Sequence, residues 1–73
     1  MKYFIITFAS VAYAMQFEKT MNKNNIPVKL IPVPRTISAS CGMCGRMNVE
    51  NKEQVLNVCK ENNVQYENIY DNY

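Results

Sequence analysis

The chain opens on a short apolar run, Lys2 to Phe8 (KYFIITF), rich in β-branched and aromatic residues and apolar at successive positions, which predicts a strand buried on both faces. The period then changes. Val11, Ala14, Phe17, Glu18 and Met21 recur at three- and four-residue intervals, so a helix is expected from a Ser10 cap to about Asn24, with Lys19 and Lys23 turned to water. Asn24-Asn25 closes it. Pro27 opens an extended run, Val28 to Val33, in which Pro32 and Pro34 lack backbone donors and so point to the end of a strand or the edge of a sheet. Arg35 to Gly42, with its Ser and Thr residues, reads as a loop. Cys44 to Val49 is expected as a strand with Met43, Met47 and Val49 on one face and Cys44, Arg46 and Asn48 on the other. Asn51 and Gln54 have capping-box spacing ahead of Val55, Val58 and Cys59, which predicts a second helix ending at Asn62-Asn63. Val64 to Tyr70 reads as a last strand, although Ile69 breaks the alternation of Val64, Tyr66 and Tyr70.

Strand, helix, strand, strand, helix, strand is the order of an α+β, ferredoxin-like βαββαβ domain, here one domain over residues 1–73, with both helices on one face of a four-stranded antiparallel sheet. If Phe4 and Ile6 point to the helices, the other face carries Tyr3, Ile5, Ile31 and Val33, a surface suited to a homodimer or another partner.

At 73 residues the core is small and stability marginal without such a partner. With 48% hydrophobic and 19% charged residues the chain is expected to fold, and a net charge of +2 is too small to imply nucleic acid. The charges are unevenly placed. Lys19, Lys23, Lys29, Arg35 and Arg46 lie in a stretch without acids, whereas Glu50, Glu53, Glu61, Glu67 and Asp71 follow it. Either this is an ordinary solvated distribution, or it surrounds Cys41 and Cys44 with positive potential that favours thiolate. Met1 to Ala14 imitates a secretory signal, but Ser10 and two tyrosines interrupt it and cleavage would remove a strand and much of a helix. No stretch is as long as a membrane span, so no membrane association is expected.

Three cysteines and no histidine argue against a secreted disulfide framework and against a four-ligand zinc site, and fit a reducing, cytoplasmic setting. Cys59 falls on the inner side of the second helix, where a cysteine is ordinarily a small core residue. Without it, metal binding by Cys41 and Cys44 lacks ligands, so no metal or other cofactor is expected. Neither a histidine base nor paired carboxylates nor a phosphate-cradling loop is present for hydrolysis, and no RNP1-like segment supports RNA stacking by Tyr3, Tyr66 and Tyr70. Cys41 and Cys44 have C-x-x-C spacing, but Gly45 to Val49 shows no helical period of the kind that acidifies the first thiol of dithiol redox motifs. What remains is an exposed thiol, Cys41, presented by a loop. Pro32 and Pro34 stiffen its approach, Ser38 and Ser40 satisfy loop amides, and Gly42 allows close approach or a positive φ. Arg35 and Arg46 are placed to stabilise an anionic sulfur. The plainer alternative is a tight turn that happens to contain a cysteine.

Pro32-Val33-Pro34-Arg35, then Ser38, Ser40, Cys41 and Gly42, together with the strand-to-helix opening of Met1 to Ala14 and Ile26-Pro27-Val28, resemble the selenium/sulfur carrier-like proteins. These are small domains with a Pro-x-Pro-Arg, Ser, Cys-Gly pattern after the second strand. The resemblance implies that Cys41 holds sulfur or selenium as a persulfide or selenosulfide, framed by Pro34, Arg35, Ser38 and Gly42. The donor would be an enzyme such as a cysteine desulfurase and the recipient an acceptor enzyme, the chain having no turnover of its own. Cys44 departs from the pattern and is a candidate resolving thiol. Two other readings stand beside this one: a thiol-disulfide redox protein using Cys41 and Cys44, and a non-catalytic interaction module.

Overall fold

The computed structural model describes residues 2–37 and 41–71. Strand β1 (Tyr3–Thr7) leads to helix α1 (Val11–Lys23), strand β2 (Lys29–Pro32), strand β3 (Met43–Asn48), a single 3-10 turn (Val49–Asn51), helix α2 (Lys52–Glu61) and strand β4 (Asn68–Tyr70). The sheet order is β2-β3-β1-β4, with every neighbouring pair antiparallel. This α+β arrangement is consistent with the ferredoxin-like fold expected from the order of elements. β2 lies at the sheet edge, where Pro32 withholds no hydrogen bond from an outer neighbour.

Two apolar clusters hold the sheet, one on each face. Phe4, Ile6 and Phe8 meet Ala14, Phe17 and Met21 of α1 and Val55, Val58 and Cys59 of α2, with Phe8 and Phe17 in tilted ring contact at 5.1 Å. Gly45 lets α1 come this close: a Cβ there would lie 3.1 Å from the Phe17 ring. On the other face Ile5, Ile37 and Cys44 are buried, with Ile31, Val33 and Tyr70 packed against them. The face expected to be bare is thus partly covered by the chain itself, and Ile5 is only 1% exposed.

Both helices end in the same way. Asn24 and Asn62 occupy the C-cap, and each side-chain amide donates to the carbonyl four residues back, Thr20 and Val58, at 2.9 Å. Asn25 and Asn63 then take left-handed φ values of 57° and 53°. The amides of Ile26 and Val64 close back onto Met21 and Cys59 at 2.9 Å, and both side chains are buried. This is the Schellman arrangement, with asparagine where glycine is more common.

Several boundaries differ from expectation. β4 begins only at Asn68, because Val64 completes the end of α2 and is no strand residue. That removes the apparent break at Ile69, which packs against the helix-side cluster, whereas Tyr70 packs on the opposite face. Asn51 makes no side-chain cap bond, because the chain enters α2 from a 3-10 turn and Asn51 is not extended. Val49 sits in that turn and is exposed, and Val11 is exposed on the outer side of α1. Among the described residues no helix is long and apolar enough to cross a membrane.

Candidate functional site

The connection from β2 to β3 crosses one end of the sheet. The Ile37 amide donates to the Pro34 carbonyl at 3.0 Å, forming a turn whose central residues, Arg35 and Thr36, are exposed. The turn directs Ile37 onto the face that carries Ile5 and Cys44. On the return, the Val33 amide donates to the Gly42 carbonyl at 3.0 Å, extending the β2–β3 ladder by one step beyond the pair Pro32 and Met43. Ser38 and Ser40, expected to satisfy loop amides, lie outside the described residues.

Cys41 is fastened just before β3. Its thiol donates to the Met43 carbonyl at 3.1 Å, and the Met43 amide lies 3.4 Å from the same sulfur and donates to it. The side chain is 7% exposed and belongs to the cluster between sheet and helices. This corrects the expectation of an exposed thiol. A cysteine two residues before Met43 has the same facing as Met43, and a small apolar side chain there is drawn into the core. Gly42 is exposed, and among the described residues a Cβ added to it would meet nothing within 4 Å. Its φ is not positive, so of the two roles open to it, close approach or a left-handed conformation, the second is not used.

Cys44, the other half of the C-x-x-C, occupies the opposite face of the sheet. It is fully buried with Ile5 and Ile37, and its sulfur lies 4.0 Å from the Pro32 carbonyl. Burial pushes its thiol above the ordinary value, and negative charge on Cys41 pushes it in the same direction. Cys44 is therefore held as a neutral thiol. Cys59 is buried in α2, and burial raises its thiol to about 11, in keeping with the core role expected of it. All three cysteines are free. Among the described residues no group of three or more potential metal ligands converges.

Arg46 projects from the face of the sheet opposite the Cys41 thiol. Arg35 stands at the tip of the exposed turn, and Arg46 lies over the Tyr3 ring at 4.5 Å, farther along β3 on the face that carries Cys44. Pro34 is half-buried and supplies the carbonyl that closes the turn. Two contributors escaped the sequence reading. The backbone of Met43 holds the Cys41 sulfur, which no side-chain motif can signal because every residue but proline carries the same groups. Ile37 covers Cys44, and its isolation among polar loop residues was the available sign.

A protein-family model described as "Putative Se/S carrier protein-like" matches residues 2–71. No curated protein and no solved structure matches the chain.

Proposed function

The chain belongs to the Se/S carrier protein-like family, and on that footing we propose that it carries sulfur or selenium on Cys41 between two partner enzymes. The observation that carries this reading is the setting of the Cys41 sulfur, held against the backbone of Met43 and followed by the exposed Gly42. An N–H aimed at the sulfur favours electron density there, and a missing side chain next door gives a donor or acceptor room to approach.

The chemistry balances without an added oxidant. A donor persulfide, such as that of a cysteine desulfurase, presents its terminal sulfur to the Cys41 thiolate. The new Cys41 S–S bond forms as the donor S–S bond breaks, and the donor cysteine leaves as a thiolate. In the second transfer an acceptor nucleophile attacks the terminal atom, and Cys41 leaves in turn as thiolate. Selenium follows the same two displacements. The setting is a reducing one such as the cytoplasm, where a free donor thiol and three free cysteines are compatible.

The dithiol redox reading is disfavoured by the two sulfur environments. Cys41 packs on the helix side of the sheet and Cys44 on the other, so a disulfide requires one of them to leave its cluster. Incubating the reduced protein with a cysteine desulfurase and cysteine, then measuring intact mass, tests the carrier reading. Wild type and Cys44→Ala are expected to gain sulfur and Cys41→Ala to gain none. Equal loading of Cys41→Ala, or no loading of wild type, sinks the proposal.

A further inference from the structure

At the end of the sheet away from the cysteine loop, two cations face each other. Lys29 of β2 is the register partner of Arg46 of β3, so their side chains project from the same face at neighbouring positions. Like charges directly opposite across a strand pair are destabilising. Among the described residues neither has a carboxylate within ion-pair distance; the salt bridge that is present joins Lys52 to Asp71. A third polar group joins them. Asn48 is the partner of Tyr3 across β3 and β1, stands at the start of the 3-10 turn, and makes no capping bond with its side chain.

These residues line a recess of about 200 Å³ whose remaining walls are Pro27, Val28 and Met47. Among the described residues no acidic one lines it. The Arg46 guanidinium is held over the Tyr3 ring, its central carbon 4.5 Å from the ring centroid, and a guanidinium so held can offer two N–H groups to paired oxygen atoms. We propose that this recess binds an oxyanion group, a carboxylate or a phosphate. It would take the group between the Lys29 ammonium and the Arg46 guanidinium, with the Asn48 amide as a further donor. The recess is open and Lys29 is exposed, so the attraction rests on two cations acting together on one ligand near the surface. Neutralisation by the ligand also relieves the repulsion between the two cations. Arg46 lies five residues beyond Cys41, roughly 16 Å away at the rise of an extended chain, so the recess is separate from the thiol. The proposal stands whether or not Cys41 carries sulfur.

The test is a titration of the isotopically labelled full chain by two-dimensional NMR. Sodium phosphate and sodium acetate are added in separate arms, at ionic strength held constant with sodium chloride. Saturable shifts are expected at the amides of Lys29, Arg46 and Asn48, and the arm that saturates at lower concentration names the oxyanion. In Lys29→Gln and Arg46→Gln the apparent Kd is expected to rise about tenfold or more. Thermal melting guards against simple misfolding. Lys29→Gln, freed of a like-charge neighbour, is expected to melt no lower than wild type, and the binding anion to raise the melting temperature of wild type but not of the variant. Shifts that fail to saturate, that chloride alone reproduces, or that persist unchanged in both variants overturn the proposal.

Discussion

The three thiols differ because three environments treat the same functional group differently. Cys41 has a hydrogen-bonding backbone at its sulfur, Cys44 has an apolar cover on the far face, and Cys59 has only the core. Cys59 gives the clearest pH prediction. Its ordinary value of 9.0 applies to the unfolded chain, and in the fold it rises to about 11, so the fold favours the protonated form. The associated stability is complete below about pH 9 and is lost as pH climbs through 11, by an amount of order 2 kcal/mol. Denaturant unfolding of wild type and Cys59→Ala should therefore converge between pH 8 and 11 as the wild type loses this term. A constant difference between the two would show that the fold leaves the Cys59 thiol at its ordinary value. The core role of Cys59 was legible from its helical phase, whereas the burial of Cys41 was not. A polar loop composition suggests exposure, but the facing of residue 41 relative to β3 decides the matter, and that depends on a register the sequence does not state.

Among the elements, β3 bears the most. It pairs on both sides, its one face supports α1 through Gly45, and its other face carries Cys44 and Arg46. Gly45→Ala is expected to cost about 1–3 kcal/mol, the usual range for overpacking, because the new methyl meets the Phe17 ring at 3.1 Å and the strand backbone cannot retreat without breaking two ladders. Chemical denaturation would measure it, and a loss below about 0.5 kcal/mol, the surface-substitution range, would mean that Phe17 shifts freely. The two helices were readable from their periodicity, and their ends from the paired asparagines, since asparagine tolerates the left-handed conformation that ends a helix. β4 was overread. Val64 is apolar for the sake of the helix end, and an alternation count cannot distinguish that from the start of a strand.

For the whole molecule, the sheet's strength is graded from centre to edge. β1 and β3 pair over five positions, from Tyr3 with Asn48 to Thr7 with Cys44, whereas β4 pairs over three. β4 is fastened largely through Thr7. Its hydroxyl accepts from the Asn68 amide at 3.1 Å and donates to the Asn68 carbonyl at 3.4 Å, and its carbonyl accepts from the Glu67 amide at 2.7 Å. Native-state hydrogen exchange should find the slowest amides in β1 and β3 and the fastest strand amides in Asn68–Tyr70. Thr7→Val should speed β4 exchange selectively. If all strands exchange at one rate, the domain opens only as a unit. The α+β class and the facing of most strand residues followed from pattern alone. The second cluster did not, because it is built by Ile37 and Tyr70, residues distant in sequence that meet over Ile5 and Cys44 only once the chain has folded.

Placing Cys41 and Cys44 on opposite sides of a sheet has a consequence for time. A chalcogen carried on Cys41 is separated from the Cys44 thiol by a layer of backbone, which closes the C-x-x-C route of escape. On the carrier reading, the loaded state would last until a second protein arrives, so its half-life in isolation should be the same for wild type and Cys44→Ala. Discharge would then be set by encounter with the recipient, and the chain would act as a reservoir that keeps no clock of its own.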